Sequence, residues 1–149
     1  MRYVLETLLI GGAALGGWLL ASPAAVAPVE TSDAATRTFG LCHTGGGTNC
    51  VVDGDTFWMD GAKIRVADID APETHPSHCP EEARLGEAAT LRLQALLNAG
   101  PVTLETGDRA TDRYGRALRI ATRGGRSLGA QLVGEGLARR WTGRRQPWC

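Results

Sequence analysis

The sequence predicts a small α+β domain, and three observations predict it. Short strand-like segments separated by Gly-rich turns occupy residues 37–70, a helical period runs through 81–99, and two more strand-like segments precede a second helical one. Strands with helices set after and between them define this class, with a barrel as one way of closing the strands. A chain of 149 residues has room for one such domain and little else. Its apolar content of 43% is ordinary, and its composition excludes collagen, coiled coil and wholesale disorder.

Taken in order, the predicted strands are Thr38–Cys42, Asn49–Asp53, Thr56–Met59 and Lys63–Ile69, with Asp60-Gly61 as a hairpin dipeptide between the last two. Pro72 and the run THPSHCP break the strand pattern and make a loop. Leu85, Ala89, Leu93, Leu96 and Leu97 then recur at helical spacing, with Pro80, Glu81 and Glu82 at the start and Gly100 as the stop. Val102–Glu105 and Ala117–Thr122 read as strands joined by TGDRATDRYGR. A second helix is expected from Ser127, an acceptable N-cap, to about Ala138, although Gly129, Gly134 and Gly136 lower its intrinsic propensity.

Residues 1–27 read as a secretory signal peptide or, if uncleaved, an N-terminal membrane anchor. Arg2 precedes an apolar run from Leu8 to Leu20, and small residues offer cleavage after Ala24 or Ala27. The run is short beside the roughly 20 apolar residues of a full membrane span. Residues 28–36 are a small, polar linker, which leaves 37–149 as the folded domain, secreted or periplasmic. Cysteine usage agrees, since Cys42, Cys50, Cys79 and Cys149 all lie outside the leader. Cys42 and Cys50 flank turn material and could face each other across a hairpin, leaving Cys79 with Cys149. Zinc is the rival, because His43, His75 and His78 lie beside these cysteines, but neither a paired CxxC nor an HxxxH is present.

A formal net charge of zero conceals a split. Residues 109–145 carry ten arginines against Asp112 and Glu135, whereas everything before 109 carries six basic and fourteen acidic groups. Such asymmetry suggests an anionic partner for the basic part, with a solvated arginine-rich surface as the plainer alternative.

The stretch VVDGDTFWMDGAKIRVADIDAPE, residues 51–73, gathers five aspartates and a glutamate in what otherwise reads as sheet. Asp53, Asp55, Asp68, Asp70 and Glu73 offer hard oxygen donors, which suit calcium or magnesium, and a cation would relieve their repulsion. DGDT by itself is equally a turn. Arg65 lies between the acidic groups and Arg116 closes DRYGR, and arginine grips phosphate bidentately. Two arginines, two metal-binding carboxylates and a spare glutamate are the parts of a phosphodiester-hydrolysing site. Strict alternation puts Arg65 and Asp70 on opposite faces, so the strand must bulge or end between them.

VVDGDT, IRVADIDAPE, GEAA in a helix, TDRYGRAL and SLGAQLVGEGLA, in this order and spacing, resemble the staphylococcal nuclease (thermonuclease) family over roughly residues 50–140. The resemblance implies a five-stranded OB-type barrel with two or three helices, and calcium-dependent, sequence-nonspecific cleavage of DNA and RNA, single- or double-stranded, leaving 3′-phosphates. It implies carboxylate ligation of Ca²⁺ by Asp55 and Asp70, with the Ala71 main-chain carbonyl added and Asp53 and Thr56 in the outer shell. Glu73 would be the general base, Arg65 and Arg116 would clamp the phosphate, and Tyr114 and Arg113 would bind substrate. Ala71 departs from the threonine of the staphylococcal pattern, where only a main-chain oxygen is needed. Asp68 is an additional acid, either surface decoration or a tuner of metal affinity. The chain ends at GRRQPWC, where the staphylococcal enzyme continues into a third helix, and a Cys79–Cys149 bridge could fasten this short tail.

The competing expectations are a non-catalytic OB-type nucleic-acid-binding module and an exported calcium-binding structural domain. The first usually stacks bases on several aromatics, and candidates here are few: Phe57, Trp58, Tyr114, Trp141 and Trp148. The second leaves Arg65 and Arg116 unexplained. No protein partner is indicated, and a monomer is expected.

Overall fold

An Asp-Gly hairpin organises the first half of the sheet. In the computed structural model, which describes residues 37–43 and 46–149, the strands β1 (Gly40–Leu41), β2 (Cys50–Asp53), β3 (Thr56–Met59) and β4 (Ala62–Val66) come first. The predicted leader and linker lie outside the described residues, and among those described no helix is long and apolar enough to cross a membrane. β3 and β4 pair antiparallel, with Thr56 opposite Arg65 and Phe57 opposite Ile64. Asp60 and Gly61 turn between them with φ of 51° and 80°, the positive pair that a two-residue hairpin demands. β2 pairs antiparallel with β3 and carries a bulge between Val51 and Asp53, just before the DGDT turn.

The expected strand 63–69 is interrupted. β4 stops at Val66, residues 67–68 form a turn, and β5 (Ile69–Asp70) starts afresh in a separate ladder. After helix α1 (Pro80–Asn98), β6 (Thr103–Thr111) and β7 (Ala117–Arg123) form a hairpin around the DRYGR turn, and β7 lies parallel to β4. β8 (Arg126–Ser127) folds back on β7, helix α2 (Leu128–Gly134) follows, and β9 (Arg139–Arg140) pairs with β5.

The resulting sheet has seven strands in the order β1-β2-β3-β4-β7-β6, with β8 attached to β7. Its pairing path is mixed and, among the described residues, open, so the five-stranded closed barrel is not what the hydrogen bonds trace. Two helices are present among the described residues, and the tail after β9 forms none. The Cys42–Cys50 disulfide forms, but between parallel strands rather than across a hairpin, with Gly40 opposite Cys50.

α1 starts where its sequence says it should. Pro80 opens it, the Cys79 sulfur accepts the Glu82 N–H as an N-cap, and Glu81 and Glu82 sit in the first turn. Its buried face, Glu82, Gly86, Ala89, Thr90, Leu93, Leu96 and Leu97, lies over the sheet. Ser127 caps α2 by accepting the Ala130 N–H at 2.9 Å. That helix ends at Gly134 rather than near Ala138 because Gly136, at φ 74°, reverses the chain and returns the Leu137 N–H to Leu132 O. Val51, Phe57, Ile64, Val66, Leu93 and Leu97 form the core with Leu128 and Leu132 of α2.

Leu93 is fully buried while Leu91, on the opposite face of α1, is 48% exposed. Leu93→Ala is expected to lose about 2–5 kcal/mol of unfolding free energy in urea titrations, and Leu91→Ala less than about 0.5 kcal/mol.

Candidate active site

The site is assembled by close approach of three segments. Gly54 of the DGDT turn has no room for a side chain, since a Cβ there would lie 2.6 Å from the Ala89 Cβ of α1 and 2.8 Å from the Ala71 Cβ. Gly86 of α1 is equally tight, 2.9 Å from the Pro72 carbonyl oxygen on the same basis. Small residues thus let DGDT and DIDAPE lie side by side on one helix. The break after β4 then solves the facing problem. Val66 N–H donates to the Asp55 carbonyl at 2.8 Å, Ala67 N–H donates to Arg119 O, and the turn presents Asp70 beside Arg65.

Asp55 is the hub. Its Oδ1 accepts from Arg65 Nη1 at 2.5 Å and from Thr56 Oγ1 at 2.9 Å, and its Oδ2 accepts the Ala71 N–H at 3.1 Å. Arg65 Nη2 also lies 3.6 Å from Asp70 Oδ1, and Asp55, Arg65 and Asp70 are all buried. Asp53 accepts the Asp55 N–H, and burial, reinforced by the neighbouring Asp55 charge, pushes its pKa up to about 7. Burial also raises Asp70, against the lowering effect of Arg145. Glu73 is half-buried and pairs with Arg145.

Arg116 stands at the rim. Its Nη1 reaches Thr56 Oγ1 at 3.5 Å, while its Nε binds Asp112 at 2.7 Å. Asp112 Oδ1 accepts the N–H groups of Tyr114 and Arg116, which shapes the DRYGR turn. These hydrogen bonds hold the Asp112 pKa down although burial alone would raise it. Arg113 donates to the Tyr114 hydroxyl, both arginines flank the Tyr114 ring, and that ring is 68% exposed. Lys63, Arg65, Glu73, Tyr114, Arg116 and Arg145 are among the walls of an open cleft of about 1040 Å³, large enough for part of a polynucleotide.

Asp68 belongs to a different structure. Its Oδ2 accepts from Ser127 Oγ at 2.6 Å and its carbonyl accepts the Trp141 N–H, so it ties the turn after β4 to the start of α2. The cysteines pair as Cys42–Cys50 and Cys79–Cys149, and no cysteine is free for zinc.

Two site residues escaped the sequence reading. Glu82, noticed only as a helix-start acid, is buried and accepts the N–H of Glu73 at 3.3 Å and the N–H of His78 at 2.6 Å, besides the His78 ring. It therefore fixes the loop that carries Glu73. Arg145, noticed only as one charge among ten, bridges Asp70 and Glu73. The proposed Cys79–Cys149 bridge was the available signal, since it brings the tail back to the loop after Glu73.

The donor set suits a hard divalent cation. Asp70 Oδ1 is buried without a hydrogen bond, and burial, reinforced by the neighbouring carboxylate charges, raises the pKa of Asp53 and of Asp70. Among the described residues no three acidic, His or Cys side chains converge into a ligand group, and Arg65 and Arg145 pair with the carboxylates.

Residues 63–147 match the model of the staphylococcal nuclease homologue family, and the chain belongs to that family. It is similar to "Endonuclease YhcR" of Bacillus subtilis (strain 168), 36% identical over 101 residues, which cover 59% of this chain and 8% of that protein. It is also 40% identical over 95 residues to "Endonuclease YncB" of the same organism, covering 59% of this chain and 44% of the relative. A third relative there, "SPbeta prophage-derived endonuclease YokF", is 40% identical over 95 residues, with 59% and 31% covered. The chain spans less than half the length of each of these relatives.

Glu82→Gln should destabilise the protein by about 1–3 kcal/mol at neutral pH, because a charge-assisted acceptor for two N–H groups is lost. The Glu82 pKa lies below its ordinary 4.5, chiefly through the His78 N–H, so the charged form contributes stability above that value. The gap in melting temperature between wild type and variant should therefore close as pH is lowered through and below 4.5. A gap that stays constant down to pH about 3 would count against this role.

Proposed function

We propose that the domain is a metal-dependent nuclease that hydrolyses phosphodiester bonds of DNA and RNA, single- or double-stranded, without sequence preference. The observation that carries this reading is the buried Asp55–Arg65–Asp70 cluster, with Glu73 and Arg116 at its rim, opening into an arginine-lined cleft. Family membership and relatives named endonucleases support it. The cation is proposed to be Ca²⁺, held by the Asp55 and Asp70 carboxylates and the Ala71 carbonyl, with Asp53 and Thr56 beyond them. When bound it supplies positive charge against the phosphate oxygens.

The chain's own residues do the rest. Arg65 and Arg116 grip non-bridging phosphate oxygens and stabilise the charge that grows there. Glu73 takes the proton of the attacking water. The bond from phosphorus to the 5′-oxygen breaks, that oxygen takes a proton from solvent, and a 3′-phosphate remains. Arg113 and Tyr114 bind the flanking nucleotide. Phosphate contacts of this kind position a strand without reading its sequence.

Within the family fold, β2, β3, β4, β7 and β6 are read as the five strands of an OB-type barrel, with β1 and β8 as additions. The disulfides fit export of a monomeric domain through residues 1–27, as a cleaved signal or an anchor, to a secreted or periplasmic location.

The test uses the oxidised protein and single-stranded DNA, with calcium and with chelator. Cleavage should require calcium, and Glu73→Gln should lower the rate by about 10²–10⁴-fold while leaving DNA binding intact. Tight, salt-sensitive DNA binding without cleavage under any metal would instead mark a binding module.

A further inference from the structure

We propose that Arg145 is a tethered internal cation that competes with the divalent metal ion for Asp70 and Glu73, and so sets the cation affinity of the site. The inference rests on the nuclease reading above and concerns a residue to which that reading gives no role.

The geometry is specific. Arg145 Nε lies 3.3 Å from Asp70 Oδ1, and Nη1 pairs with Glu73 Oε1. One guanidinium thus spans the proposed metal ligand and the proposed base. Asp53, Asp55, Asp70 and Glu73 crowd together with Arg65 as the only other guanidinium that pairs with them among the described residues. Arg145 supplies a second positive charge to a cluster of four carboxyl groups that otherwise pairs with Arg65.

The tail that carries Arg145 is held along its length. Trp141 N–H donates to Asp68 O at 2.9 Å, Arg139 donates to Pro147 O and packs 3.8 Å from the Trp148 ring, and Cys149 is bonded to Cys79. A charge anchored on both sides acts at a local concentration on the order of millimolar without any external ligand. It competes most effectively with a cation whose own affinity is modest. A Glu73 carboxylate engaged by Arg145 is also poorly placed to accept a proton from water, so the pairing must open before the proposed reaction proceeds. The preceding residue, Arg144, forms no ion pair with these acids among the described residues, which makes it a control for tail charge.

Calcium binding by isothermal titration calorimetry, on the oxidised full chain, separates the outcomes. Arg145→Gln should bind calcium about fivefold or more tightly than wild type, and Arg144→Gln within about twofold of it. The double variant Cys79→Ser/Cys149→Ser, which cuts the tether, should move in the same direction as Arg145→Gln. In chelator Arg145→Gln should melt below wild type, and in saturating calcium the two should converge. Unchanged or weaker calcium binding by folded Arg145→Gln overturns the inference, as does an equal gain in Arg144→Gln. If the tether variant does not fold, Arg145→Gln and Arg145→Lys decide, the lysine retaining wild-type-like affinity if charge is what competes. A wild type that binds calcium and cuts DNA, beside an unshifted Arg145→Gln, sinks this inference alone. A wild type that does neither overturns the nuclease reading and this inference with it.

Discussion

The buried pair of Asp55 and Arg65 is the constraint around which the rest is arranged. Taking both charges out of water is costly, and such pairs rarely add net stability over apolar residues of the same size. Their expense is offset only by hydrogen bonds to the buried groups, and Asp55 accepts several. It receives Arg65, Thr56 and the Ala71 N–H through its carboxylate and Val66 through its carbonyl. One side chain therefore fixes the relative places of the DGDT turn, the end of β4 and the segment after β5. A stability argument alone does not explain such a pair, whereas a site that must hold charge in place does.

The helix beneath gives that pair its setting. α1 presents Gly86 and Ala89 where the two acidic segments cross it, and larger residues would hold them apart. Glu82, one turn earlier, turns the same helix into the anchor for the Glu73 loop. Packing and polar satisfaction act on one face here: the apolar residues of α1 bury the sheet while its first turns position the acids. Burial, with the neighbouring Asp55 charge added, raises the Asp53 pKa, and Arg65 and Arg145, far apart in sequence, pair with the other acids of the cluster.

The arginine-rich second half is less uniform than its composition suggests. Arg123 caps the C-terminal end of α1 by donating to Leu96 O and Gly100 O, and Arg119 donates to the carbonyls of Ala110 and Leu118. Arg139 packs on the tail. These guanidiniums satisfy backbone acceptors, leaving a smaller set, with Arg113, Arg116 and Arg144 among it, along the cleft. Charge counting alone overstates the surface offered to an anion.

Much was legible in the residues themselves. Helical period and Pro80 placed α1, the Asp60-Gly61 dipeptide placed the central hairpin, Ser127 placed the start of α2, and the inventory of acids and arginines named most of the cluster. These are local signals, written at spacings of a few residues. The odd separation of Arg65 and Asp70 even demanded a break, and Ala67 and Asp68 supply it. What the chain could not announce locally is what depends on distant segments meeting. The parallel pairing of β1, the capture of Asp68 by Ser127, the loop-holding task of Glu82 and the arrival of Arg145 over Glu73 are all of this kind. Each exists because burial leaves a charge or an N–H unsatisfied until a remote group reaches it, and only the folded chain decides which group is within reach.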